Sequence, residues 1–185
     1  MAVTGVTSLA ERMRLLRSHG ITRDFSNMTE EHEGDWYYEQ IELGFNYRMT
    51  DIQAGLGLSQ TERLDTFVSA RRQIADRYDK AFAGLNAQTL AISDNTQSAC
   101  HLYVLLVEAE KRHRIFNDLR KMNIGANVHY IPVHTQPYYR NLGFHYGQFP
   151  KAESFYQRAI TLPLYPTLSR KDQDYVIRKV TEVLR

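Results

Sequence analysis

The chain has 185 residues, 43% hydrophobic and 24% charged, with a net charge of +2, ordinary values for a globular protein long enough to bury roughly 70% of its unfolded surface. Its Arg and Lys are interleaved with Asp and Glu, so no cationic face invites nucleic acid, and no apolar run approaches the ~20 residues of a membrane span. The first nine residues lack the basic region and apolar stretch of a secretory signal, and the single cysteine, Cys100, reads as a buried thiol of a reducing compartment, so a cytoplasmic location is expected.

Ser8 and Glu11 have capping-box spacing, which predicts a helix from Leu9 to His19 with Gly20 as a left-handed stop. Residues 22–35 are polar and irregular, and Tyr37 to Leu43 alternates as a strand leading into a Gly44 to Arg48 loop. Thr50 and Gln53 repeat the capping-box spacing and open a second helix containing Gly55 and Gly57. Each glycine costs about 1 kcal/mol against alanine there, which points to a close approach of backbone or ligand. An apolar stripe through Leu64, Phe67, Val68, Ile74, Ala75, Tyr78 and Phe82 predicts a helix of about 20 residues ending at Gly84, long enough to link two domains.

After Asn86 the units shorten. Strands are predicted near Ala87 to Ile92, at His101 to Val107 and at Ala126 to Ile131, and helices at Arg112 to Met122 (ended by Gly125) and from Pro150 to Ile160. Tyr138 to Gly147 reads as an irregular aromatic loop. Pro163 and Pro166 enforce an extended link, and a last helix follows Ser169 with Tyr175, Val176, Val180 and Val183 facing inward. Strands interleaved with helices predict an α/β sandwich.

Read alone, Asn46 is a turn residue, and Arg48 either pairs with Asp51 or grips an anion, the ion pair being preferred. His129 and His134 stand five apart around Pro132 without Cys or carboxylate companions nearby in sequence, which argues against a metal.

The run Leu43-Gly44-Phe45-Asn46-Tyr47-Arg48-Met49-Thr50-Asp51-Ile52-Gln53-Ala54-Gly55 resembles the signature of the DegT family of sugar aminotransferases. So do Arg17-Ser18-His19-Gly20-Ile21, Trp36-Tyr37-Tyr38-Glu39-Gln40, His129-Tyr130-Ile131-Pro132-Val133-His134, Phe149-Pro150-Lys151-Ala152-Glu153 and Leu162-Pro163-Leu164-Tyr165-Pro166, in the family's order. The resemblance implies the C-terminal portion of a fold-type I PLP-dependent transferase: residues 1–60 a remnant of the PLP-binding large domain, 61–85 an interdomain helix and 86–185 a small α/β domain. The variant is most similar to the aminotransferases that make the 4-amino precursor of pseudaminic acid from a UDP-linked keto sugar.

The implied reaction moves an amino group, typically from glutamate, to the keto carbon of a nucleotide-linked sugar, in a homo-oligomer whose cofactor is pyridoxal 5′-phosphate. By the same resemblance, Asn46 donates to the cofactor phosphate of a neighbouring subunit, and Val128, His129, Tyr130 and Ile131, with His134, face the nucleotide sugar. The lysine that carries the cofactor is expected some ten residues ahead of Met1. Lys80, Lys111, Lys121, Lys151, Lys171 and Lys179 fall on predicted helices or helix starts and read as solvated surface. The chain alone is therefore expected to be inactive. Four readings stay open: the product of a truncated gene, a half that complements a separately encoded N-terminal half, a non-catalytic dimerisation or sugar-nucleotide-binding module, and part of a PLP-dependent sugar dehydratase, which has histidine in place of the lysine.

Overall fold

The computed structural model describes residues 2–30, 34, 36–93 and 95–185, in two units, Met1–Thr61 and Glu62–Arg185. Part of the predicted irregular stretch, residues 31–33 and 35, lies outside the described residues.

In the first unit α1 runs Thr7–Leu16. The predicted Ser8–Glu11 box is not formed. The cap is Val6, without a side-chain bond, so Ser8 falls inside the first turn. The helix stops at Leu16, short of the predicted His19, because the amides of Ser18 and Gly20 both bond back to the Leu15 carbonyl (3.1 Å each) while His19 (φ 66°) and Gly20 (φ 70°) turn left-handed. A two-residue strand β1 (Ile21–Thr22) follows, then a 3-10 turn at Phe25–Asn27 capped by Asp24. β1 pairs antiparallel with β2 (Glu39–Gln40), Ile21 opposite Gln40. The predicted strand to Leu43 is cut to these two residues because Ile41 and Glu42 both donate to the Gly20 carbonyl, folding the chain back on itself. α2 (Asp51–Thr61) begins as predicted: Thr50 N–H donates to Gln53 Oε1 (3.0 Å) and Gln53 N–H to Thr50 Oγ1 (3.3 Å). Among the described residues of this unit only Gly20 and Thr22 are buried, and Ile52 of α2 is 85% exposed.

The second unit has a conventional core. α3 (Leu64–Phe82) buries Ile74, Ala75, Tyr78 and Phe82, the predicted stripe, with the Tyr78 hydroxyl donating to the Pro163 carbonyl (3.0 Å). α3 thus contributes four side chains to this unit's core. β3 (Gln88–Thr89) and β4 (Tyr103–Leu106) lead to α4 (Ala109–Lys121), α5 (Pro137–Asn141), α6 (Pro150–Arg158), β5 (Ala159–Leu162) and α7 (Arg170–Leu184). The sheet is antiparallel in the order β3-β4-β5, with Tyr103 opposite Leu162 and Leu106 opposite Ala159. Tyr103, Leu105, Ile160 and Leu162 meet Phe82, Ile115, Leu119, Val176 and Val180 in one cluster.

Four expectations are corrected. The third strand is Ala159–Leu162, not Ala126–Ile131, which touches the sheet through a single bridge, Asn127 to Thr161. The helix from Pro150 therefore ends at Arg158, where the chain turns extended and enters four fully buried positions. The left-handed residue after α4 is Asn123 (φ 58°), not Gly125. The 138–147 segment is partly ordered as α5.

Candidate functional site

In the first unit the site is built on a backbone crossing. A Cβ on Gly20 would collide with the Glu42 carbonyl, and one on Gly44 with the Gly20 amide and the His19 carbonyl carbon. This approach lets three bonds form: Phe45 N–H to Leu16 O (2.6 Å), His19 N–H to Phe45 O (2.8 Å) and Tyr47 N–H to Arg17 O (2.9 Å). Asn46 is thereby held opposite Ser18 in a β-bridge. The Phe45 and Tyr47 rings stack at 4.9 Å, and strand alternation sends the Asn46 side chain to the other face. Asn46 is exposed, its φ is not left-handed, and its side-chain amide holds no hydrogen bond among the described residues. The plain turn reading of Asn46 therefore fails. The preferred Arg48–Asp51 ion pair is not formed either. A Cβ on Gly55 or Gly57 would meet nothing within 4 Å, so no part of this chain makes the close approach expected there.

In the second unit Val128, His129, Tyr130 and Ile131 leave the Asn127 bridge and run to a 3-10 turn at Val133–Thr135. Val128 N–H donates to Asn127 Oδ1 (2.8 Å), which orients the amide so that its Nδ2 donates to His129 Nε2 (3.2 Å). His129 Nδ1–H is then left to donate to Thr161 Oγ1 (2.9 Å). Tyr130, edge-on to His129 at 4.5 Å, is 69% exposed, and Ile131 is exposed as well.

His134 differs from the four residues before it. It is buried, packs against Phe149 at 4.8 Å and donates from Nε2 to Glu153 Oε1 (2.8 Å). The Glu153 carboxylate, also buried, further accepts from Gly147 N–H (2.8 and 3.0 Å) and Phe149 N–H (3.2 Å). Burial pushes this carboxyl up, but the His134 bond and the N–H groups of Phe149 and Gly147 outweigh it and hold the group below its ordinary value. Above the pair lies a pocket of about 330 Å³ between Val133, Tyr139, Phe144 and Phe149. Sequence reasoning missed Thr161 and Glu153. Glu153 carried a readable signal, a carboxylate in the first turn behind Pro150 that can reach back to earlier amides; Thr161, inside an apolar run, carried none.

The donors on the Asn46 loop suit an anion such as a cofactor phosphate: an amide on a fixed backbone, with Arg48 nearby in the chain, neither of them paired among the described residues. Lys80, Lys111, Lys121, Lys151 and Lys171 are exposed on helices, and Lys179 is bonded to Glu182 at 2.7 Å. Among the described residues no group of three or more His, Cys, Asp or Glu could hold a metal, and no helix is long and apolar enough to cross a membrane.

The fold is that of a pyridoxal-phosphate-dependent transferase of fold type I. The proposed sugar aminotransferase Spr1654 of Streptococcus pneumoniae in its PMP form superposes with a TM-score of 0.85 at 37% identity, over 95% of this chain and 45% of Spr1654. Residues 1–181 match the DegT/DnrJ/EryC1/StrS aminotransferase family, and the chain belongs to it. It is 38% identical to the spore coat polysaccharide biosynthesis protein SpsC of Bacillus subtilis, over 100% of this chain and 49% of SpsC. It is 32% identical to the UDP-4-amino-4,6-dideoxy-N-acetyl-beta-L-altrosamine transaminase of Campylobacter jejuni, over 91% of this chain and 43% of that protein. The chain spans about half the length of the curated relatives it matches.

Proposed function

We propose that this chain supplies the phosphate-holding loop and the sugar-facing segment of a pyridoxal-phosphate-dependent sugar aminotransferase. The reaction is transfer of an amino group from glutamate to the keto carbon of a nucleotide-linked 4-keto-6-deoxy sugar.

 The carrier we assign is UDP. When bound, pyridoxal phosphate supplies the electron sink through which the amino group passes. This chain's own residues bind and orient: Asn46 donates to the cofactor phosphate of a neighbouring subunit in a homo-oligomer, and Val128, His129, Tyr130 and Ile131 face the nucleotide sugar, with His134 seated beneath them.

The observation that carries this reading is the Asn46 amide, exposed and without a partner among the described residues, on a loop whose backbone three hydrogen bonds fix. Residues 1–60 belong in this reading to the cofactor domain, 61–85 to the connecting helix and 86–185 to the small domain, in a cytoplasmic enzyme. The placement of all six lysines on helices supports inactivity of the chain by itself.

The test joins this chain, in cis or as a separate polypeptide, to the half of the relatives' length that it does not span. Glutamate-dependent amination of a UDP-linked 4-keto-6-deoxy sugar is then measured by mass spectrometry. Amination by the joined protein and none by the chain alone is the expected result. Loss of water from the sugar in place of amination would assign the dehydratase reading, and binding of the sugar without turnover the non-catalytic one.

A further inference from the structure

The proposed sugar-facing segment is hung between two buried polar anchors. At its start His129 Nδ1 meets Thr161 Oγ1 at 2.9 Å, beside the paired backbone bonds between Asn127 and Thr161 (2.7 and 3.0 Å). Just past its end His134 Nε2 meets Glu153 Oε1 at 2.8 Å. Thr161, His134 and Glu153 are three of the five buried polar or charged residues among those described, at 4%, 8% and 4% exposure. A buried polar group without its partner carries a full desolvation cost, so each anchor holds one geometry. Between them Tyr130 and Ile131 are exposed, and neither backbone amide donates to another described residue. The local bonds after the segment, Thr135 N–H and Oγ1–H to Pro132 O (3.0 and 2.7 Å), stiffen the turn that carries His134 but reach no other element.

We propose that Thr161 and Glu153 are positioning residues: acting through His129 and His134, they hold Val128–Ile131 in the conformation that presents Tyr130 and Ile131 to a ligand. Neither touches the ligand itself. The presenting role rests on the substrate reading given above; the holding role does not.

The test uses the full chain and backbone ¹⁵N relaxation. In the wild type, Tyr130 and Ile131 should have order parameters near about 0.85, the value of rigid backbone. His134→Phe keeps a ring beside Phe149 but cannot donate to Glu153, and Thr161→Val keeps the shape of the strand residue without its hydroxyl. Each should lower the order parameters of Tyr130 and Ile131 to about 0.6 or less. His134→Gln, whose amide nitrogen can reach the position of Nε2, and Thr161→Ser should restore them. Leu105 and Ile160 amides report on the fold and should stay rigid throughout. Unchanged order at Tyr130 and Ile131 in the Phe and Val variants overturns the proposal. So does an equal fall in the Gln and Ser variants, since packing and not the two bonds would then hold the segment. Adding UDP to the wild-type chain separates the two readings: absence of any shift at Tyr130 and Ile131, with order behaving as expected, sinks the substrate reading and leaves the anchors standing.

Discussion

Gly20 and Gly44 cross backbone against backbone, and neither position has room for a Cβ. The crossing is what aligns Phe45 to Tyr47 with Arg17 to His19, and so it sets where Asn46 points. Gly44→Ala must push the two segments apart, at a cost of about 1–3 kcal/mol for overpacking. The amides of His19, Phe45 and Tyr47, which bridge the crossing, should then exchange with solvent about ten-fold faster or more. Gly57→Ala, on an exposed helix where an added Cβ meets nothing within 4 Å, should leave those amides unchanged and favour α2 by about 1 kcal/mol. Equal exchange in wild type and Gly44→Ala would show that the crossing does not position the loop.

The role of Asn46 is separable from the shape of its loop once this chain is joined to the part of its relatives' length that it does not span. A hydrogen bond to a charged group is worth about 1.5–3 kcal/mol, so Asn46→Ala should weaken cofactor binding by about ten-fold or more. Asn46→Gly removes the same donor while permitting any backbone angle. Cofactor titration should show equal weakening in both variants, with circular dichroism and sedimentation unchanged. Retained affinity in the glycine variant would refute phosphate contact.

The helical placement of the six lysines gives a prediction for the chain alone. With pyridoxal phosphate added and borohydride used to fix any adduct, peptide mapping should find only low, scattered labelling over Lys80, Lys111, Lys121, Lys151, Lys171 and Lys179. A stoichiometric label on one of them would mean that this chain carries a cofactor lysine of its own.

Much of this architecture was legible where one physical signal acted alone. The Thr50–Gln53 box predicted the start of α2 because both partners are local, and the stripe from Ile74 to Phe82 predicted the buried face of α3 because the period of a long helix is hard to mimic. The Ser8–Glu11 box had the same spacing and failed, since the helix began two residues earlier at Thr7. Ala159–Leu162 was missed because a strand buried on both faces has no alternation, and it follows a helix without a break. The Asn46 loop was readable from its motif, but the crossing beneath it is a contact between segments more than 20 residues apart. The two anchors were hidden for the same reason: Thr161 lies 32 residues beyond His129 and Glu153 lies 19 beyond His134.

Glu153 gives the chain a local response to acid whose direction follows from its bonds. Burial alone would raise its pKa, yet the His134 bond and the amides of Phe149 and Gly147 stabilise the charged form more, so the folded value lies below the ordinary 4.5. A carboxyl depressed on folding contributes stability that is fully present above its unfolded pKa and is lost as the pH falls through its folded pKa. The tether on residues 147–149 should therefore be intact at neutral pH and remain so down to about 4.5, then release below it. Protonation removes the negative charge to which His134 Nε2, Gly147 N–H and Phe149 N–H donate, so titration of this carboxyl loosens the tether. Following the Gly147 and Phe149 amide signals by NMR against pH should give a midpoint below 4.5, absent in Glu153→Gln, while the Leu105 and Ile160 signals hold. A midpoint at or above 4.5 would mean that desolvation outweighs the three donors, and the account of this buried pair would have to be reversed.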